Sequence, residues 1–271
     1  MIKWKRYNGA IVPDAPPHIP PTQEDIACAK AMGGYRFITY VTDFDCEEET
    51  PWWYVIKDTP LHIEEMPSAK KRYRINKGLK HSEVRKIDCR AYGKALYQCF
   101  IKAQERYAVY ENTVTEEAFL QALETDTDEY YGVFFKETEE LVAYGKNVLQ
   151  GDCVSMSIMK FHPDYLKYEI SAALTYEIIR AHLNDGGCKY IMDGQRAIRH
   201  KTNIQDYLEH NFGFRKAYCR LHMIYSPKMK LLVGLLYPFR KLLEKIAGEN
   251  VFLNNVASVL KMEEISRECR K

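Results

Sequence analysis

The chain has 271 residues, with 39 Lys and Arg against 37 Asp and Glu, a formal net charge of +2. That length is ample for a large core, and so even a balance gives no overall field for nucleic acid or an anionic membrane. Eight cysteines are scattered without a CxxC pair, which points to free thiols in a reducing compartment and away from a disulfide framework or zinc site. The opening MIKWKRYNGA has no apolar signal segment, and the longest apolar run, 231–239, is too short to span a bilayer. The expectation is a cytoplasmic globular protein with no transmembrane segment.

Residues 1–60 read as irregular. Pro13, Pro16, Pro17, Pro20 and Pro21 forbid a helix there and suggest an extended surface arm. Two strand-like runs, 35–41 and 52–56, flank an acidic loop at 43–50. Ser68 is placed to cap a basic helix over 69–80 that carries Lys70, Lys71, Arg72, Arg74 and Lys77.

From residue 83 the pattern is regular. A strand at 83–88 precedes a helix at 91–107 with Tyr92, Leu96, Cys99, Phe100 and Ala103 on one face. Thr113-Val114-Thr115-Glu116 reads as a capping box opening a second helix. Strands follow at 130–135, 141–145 and 153–161. Next comes a helix over 171–183, stopped by Asn184-Asp185-Gly186-Gly187. A strand at 189–192, a helix at 203–211 and a strand at 218–225 complete the order β-α-α-β-β-β-α-β-α-β. Beyond Pro227 an apolar segment leads to a helix opened by Pro238 and stopped at Gly248. A last amphipathic helix covers 255–268. These tail helices are expected to dock on the domain or on a second subunit, which would give a homodimer; a membrane-surface role is the less favoured alternative, since the final helix mixes its charges.

That order over 83–226 resembles the GNAT acyltransferase superfamily, and two local motifs strengthen the likeness. His162-Pro163-Asp164-Tyr165-Leu166-Lys167-Tyr168-Glu169-Ile170-Ser171-Ala172-Ala173-Leu174 sits where the family has P-x-Y-R-G-x-G-x-G/A-x-x-L, a glycine turn whose amides hold the CoA pyrophosphate. Pro163, Tyr165 and Leu174 match. Leu166 replaces Arg or Gln, and Glu169 and Ser171 stand at loop-glycine positions. Leu208-Glu209-His210-Asn211-Phe212-Gly213-Phe214 matches the helix end L-Y-E-x-x-G-F. The basic helix before the first strand is similar to the entry to the second unit of FemAB-like transferases, a partial resemblance.

The resemblance implies an α/β (α+β) fold with a mixed, mostly antiparallel central sheet flanked by helices. The expected divisions are an arm and partial subdomain (1–82), the GNAT-like domain (83–227) and a helical extension (228–271). It implies acetyl-CoA or another acyl-CoA as donor and direct transfer to a small amine, such as an amino sugar. Backbone at Met159 and Phe161 would hold the pantetheine, with Ser171, Ala172, Ala173, Thr202 and Asn203 around the cofactor.

Asp193 is the first candidate to orient the acceptor or take its proton; the alternative is an Asp-Gly turn residue. His200 is a base or a polar loop contact. Arg196 and Arg199 bind an anionic group or are solvated. Glu169 beside a pyrophosphate would cost on the order of 1 kcal/mol, so it turns outward or serves as the base. Trp52 and Trp53 wall a pocket or pack the joint with the arm. Two other functions remain: a FemAB-like transferase moving an amino acid from charged tRNA, favoured by the basic helix, and a non-catalytic binding protein.

Overall fold

The computed structural model describes residues 1–105, 114–198, 203–248 and 250–270. Its elements begin with β1 (Trp4–Tyr7), β2 (Ala10–Pro13), α1 (Gln23–Ala31), β3 (Phe37–Cys46), β4 (Trp52–Lys57), α2 (Ala69–His81) and β5 (Ser82–Ile87). They continue with α3 (Gly93–Gln104), α4 (Glu116–Glu124), β6 (Glu129–Phe135), β7 (Leu141–Gln150), β8 (Cys153–Phe161), α5 (Ile170–Ile179) and β9 (Tyr190–Gln195). The last are α6 (Ile204–Phe212), β10 (Arg215–Tyr225), α7 (Pro227–Leu236), α8 (Arg240–Ile246) and α9 (Val251–Glu268). The chain divides into two compact units: Met1–Val55 with Gln195–Asp206 and Arg215–Lys271, and Ile56–Gly194 with Tyr207–Phe214.

In the first unit the strands lie in the order β1-β2-β3-β10-β4. β10 runs antiparallel to β3, from Tyr225 opposite Phe37 to Tyr218 opposite Cys46, and β2 runs parallel to β3. The first sixty residues are therefore largely ordered, contrary to the reading of 1–60 as irregular. Helix α1 starts at a reciprocal cap in which the Thr22 hydroxyl accepts from the Asp25 amide and the Asp25 carboxylate accepts from the Thr22 amide. The acidic stretch expected as a loop is strand as far as Cys46. Its carboxylates have cationic partners on β10: Arg215 grips Asp45 through two bonds of 2.6 and 2.7 Å, and Arg220 lies 3.2 Å from Asp43. Those partners are some 170 residues away in sequence, so no local pattern could reveal them. Val41, Trp52, Cys219, Leu221, Ile265 and Cys269 form a core beneath this sheet. Trp52 is thus a core residue, and Cys219 packs as expected, with burial pushing its thiol far up.

In the second unit the order is β9-β8-β7-β6-β5. The pairs from β5 to β8 are antiparallel, and β8 runs parallel to β9. The element order from β5 to β10 is the one expected for residues 83–226. Apolar periodicity carries it: Leu96, Cys99, Leu123, Tyr130, Phe134 and Leu141 meet in one buried cluster, while Leu174 and Ile178 of α5 are fully buried. Gly145 lets α5 come close to β7, since a Cβ there would lie 3.2 Å from Ile178.

Two boundaries move in ways that matter. The cap of α4 is Thr115, whose hydroxyl accepts from the Ala118 amide; Thr113 lies outside the described residues. β9 runs on through Gln195, so Asp193 and Gly194 are strand residues. Among the described residues no helix is long and apolar enough to cross a membrane, and no His, Cys, Asp and Glu cluster could hold a metal.

Candidate functional site

The parallel ladder between β8 and β9 covers Cys153–Ser155 and Tyr190–Met192. The C-terminal halves of both strands lie beyond it. Met159 and Phe161 are on that half of β8, half-buried and paired to Gly145 and Ala143 of β7. Asp193, also half-buried, is the first residue of β9 past the ladder.

The adjoining feature is the start of α5. Glu169 precedes it at φ 60° and ψ 31°, the left-handed region that costs a side-chain-bearing residue about 1 kcal/mol or more. The Glu169 carbonyl accepts from the amides of Ala172 and Ala173 at 3.0 and 3.2 Å. Glycine would adopt this conformation without that cost. Glu169 achieves the same turn because its carboxylate is held: Arg74 Nε donates to Oε2 at 2.9 Å.

Arg74 belongs to α2, whose Ser68 cap accepts from the Lys71 amide as expected. Its other nitrogen donates to Asn211 Oδ1 at 3.0 Å, and its guanidinium lies 5.5 Å from the Tyr207 ring centre. Tyr207 Oη and Ser171 Oγ are 3.4 Å apart, and Asn211 Nδ2 donates to the Tyr207 carbonyl at 2.8 Å. Burial pushes the Tyr207 phenol up, against smaller opposing effects of Ser171 and Arg74. It is a neutral O–H donor at ordinary pH.

One turn further along α2, Gly78 rests on the same helix start. A Cβ at this position would lie 2.5 Å from the Glu169 carbonyl and 2.9 Å from Ala173 Cβ. Only glycine permits that approach. The cleft lined by Lys71, Arg74, Ile75, Ala172, Tyr207 and Asn211 leaves no room for a water molecule. Helix α2 thus packs on the Glu169 carbonyl and Ala173, and Arg74, Tyr207 and Asn211 line the narrow cleft beside Ala172. Glu169 turns toward Arg74, and Ser171 toward Tyr207.

The opposite side of α2 is quite different. Lys70, Tyr73, Lys77 and Lys80 fall within an arc of roughly 80° on the helix. Tyr73 is 63% exposed. Lys70, Lys77 and Lys80 form no ion pair with the described residues. A cationic stripe with one exposed aromatic faces solvent.

Other sequence-predicted residues are placed as follows. The Arg196 amide donates to the Trp53 carbonyl at 2.8 Å, its guanidinium donates to the Pro51 carbonyl at 2.6 Å, and the same group lies 4.5 Å from the Trp53 ring centre. It is half-buried, with a backbone acceptor and a ring as partners. Asn203 is exposed just before α6. Arg199, His200 and Thr202 lie outside the described residues. At the far end of α6, Gly213 at φ 70° lets the Phe214 amide turn back to the Leu208 carbonyl, as the helix-end motif implies. Buried Lys57 donates to Thr59 at 3.1 Å, and burial lowers its pKa.

Sequence reasoning missed Arg74, Gly78, Tyr207 and Asn211 as one constellation. Arg74 and Gly78, a turn apart on a predicted helix, were the available signal. Their partners lie about 95 to 137 residues away, so only the folded chain connects them.

No protein-family model matches the chain, and no curated protein sequence resembles it significantly. Solved structures do. FemX superposes with a TM-score of 0.56 at 10% identity, over 87% of this chain and 86% of that one. A domain assigned to a lysylphosphatidylglycerol synthetase of Agrobacterium fabrum gives 0.55 at 10% identity, over 86% and 83%. The L-PGS structure from Bacillus licheniformis gives 0.52 at 12% identity, over 87% and 83%. At such identities the likeness is one of fold. The chain has a GNAT-like fold, and the likeness extends across both of its units.

Proposed function

We infer that this chain is an acyl-group transferase whose donor is an aminoacyl ester of tRNA, as the FemAB-like resemblance implies, with an amine as acceptor. The observation that carries this reading is the covered start of α5. A CoA diphosphate needs free amides with room beside them, whereas the cleft at Ala172 has no space for a water and the Ala172 and Ala173 amides already donate to the Glu169 carbonyl. The outward stripe of α2 supports the same donor, because lysines without acidic partners neutralise phosphates and an exposed Tyr stacks on a base. Transfer from an ester needs a group to take the amine proton and one to protonate the leaving ribose oxygen. Asp193, past the ladder, is the proposed acceptor of the first proton. Tyr207, kept protonated by burial, is the proposed donor of the second.

Filter retention of charged tRNA across a salt series tests the donor. The expected slope of log affinity against log salt is about −2 to −3, from Lys70, Lys77 and Lys80 at roughly 0.7 to 0.9 each. Lys70→Glu with Lys77→Glu should abolish retention without lowering the unfolding midpoint. The separated halves of β8 and β9 favour a second reading, the acyl-CoA donor. Stabilisation by several degrees with excess acetyl-CoA, and no tRNA retention, would establish that reading instead.

A further inference from the structure

Among the described residues, half of the exposed large apolar side chains lie in one stretch, residues 231–252. Leu231 is 78% exposed, Leu235 68%, and Phe252 73%. From α7 through the 3₁₀ turn Tyr237–Phe239 into α8 the backbone is helical without a gap. Leu231, Leu235, Phe239, Leu242 and Ile246 recur at intervals of four, four, three and four, the spacing of one helical side. The other side is anchored: Val233 and Ala247 are buried, and α7 packs against β10 and α9. An amphipathic segment normally turns its apolar side inward. Here a continuous apolar row faces solvent, and such a row marks an interaction surface.

Charge decides what covers it. Residues 227–252 contain Lys228, Lys230, Arg240, Lys241 and Lys245 against two acids, Glu244 and Glu249. Arg240 is engaged with Glu264 at 2.8 Å, while the four lysines form no ion pair with the described residues. A second copy of the chain, joined about a two-fold axis, would bring these lysines against their own counterparts. An anionic bilayer meets both features at once: the leucines and phenylalanines enter the acyl boundary while the lysines reach the headgroups.

We propose that the α7–α8 segment, with the start of α9, docks this protein on the surface of an anionic membrane. The surface lies on an apolar-and-basic face of the first unit and stands independently of the donor assigned above. It also differs in kind from a spanning segment, since the apolar row occupies only one side of the helices.

Cosedimentation with vesicles tests it, using phosphatidylcholine alone and phosphatidylcholine with about one-third phosphatidylglycerol. The full chain should sediment with the anionic vesicles and stay in solution with the neutral ones. Leu235→Glu with Leu242→Glu should lower the bound fraction at least about tenfold, and Lys241→Glu with Lys245→Glu by a similar factor. Phe252→Ser, at a separate exposed position, should weaken binding less. Unchanged unfolding midpoints would show that the variants remain folded. The proposal is overturned if anionic vesicles fail to retain the chain, or if retention survives both double substitutions. It is equally overturned if light scattering shows a dimer that Leu242→Glu dissociates, because the apolar row would then be a subunit contact.

Discussion

Two basic helical segments of this chain use their charge in opposite ways. Helix α2 turns its small and apolar side inward, Ile75 and Gly78 being buried, and presents lysines to solvent. The α7–α8 segment presents lysines too, but its leucines face outward beside them. In the first case everything left for a partner is electrostatic, which suits a phosphate backbone and a strong dependence on salt. In the second, apolar area and charge act together, which suits a surface with both a headgroup and an acyl layer. Net charge alone would have treated the two segments as equivalent. Which side of the helix is used up by the fold separates them.

The contrast between inward and outward leucines is the easiest part to break. Leu174→Ala, at a fully buried site in α5, should cost about 3 to 4 kcal/mol of stability, whereas Leu231→Ala on the exposed row should stay within about 0.5 kcal/mol. Denaturant midpoints measure both, and equal losses would mean that the outer row is packed after all.

Gly78→Ala tests the seal on α5. In an ordinary helix interior this change gains up to about 1 kcal/mol. Here the new methyl meets a carbonyl oxygen at 2.5 Å, so a loss of about 1 to 3 kcal/mol is expected. A gain would show that the two helices sit further apart.

Glu169 gives a smaller and subtler effect. Both Glu169→Ala and Glu169→Gly remove the pair with Arg74, but only glycine relieves the left-handed backbone. The alanine variant should therefore be less stable than the glycine variant by about 1 kcal/mol. Identical unfolding midpoints would deny the strain.

The least effect comes from acid. Burial lowers the His182 pKa below its ordinary 6.5 despite the opposing pull of Glu129. The folded state therefore keeps the ring neutral while the unfolded chain protonates it. The resulting stability is complete above about 6.5 and is lost as pH falls from there through the lower folded pKa. Asp45 and Asp126 are held low by Arg215 and by Lys146 with its neighbours, so a second decline follows below the ordinary 3.8. Thermal midpoints across pH should fall in these two stages. Burial lowers the His222 pKa as well, so His182→Gln should shrink the first stage, and only the double substitution with His222→Gln should remove it.

The legible parts of the chain were those with local causes. Periodic apolar residues from 83 to 226 identified the order of strands and helices, and Ser68 and the Gly213-Phe214 end were readable as start and stop signals. Helix α1 was also legible in principle, through Thr22 and Asp25, but the neighbouring prolines drew attention away from a nine-residue helix. The strand status of Asp43 and Asp45 was not legible, since acidic residues look like loop until Arg215 and Arg220 are beside them.

The residue types at positions 74, 78, 169, 207 and 211 were determined by the sequence alone, as was the excess of lysine over acid in 227–248. Tertiary structure alone decided that the first group meets at one helix start, and that the leucines of the second stretch point outward. The physical reason is the same in both cases. Periodicity says that a helix has two sides, but only the packing of distant segments selects which side loses its water.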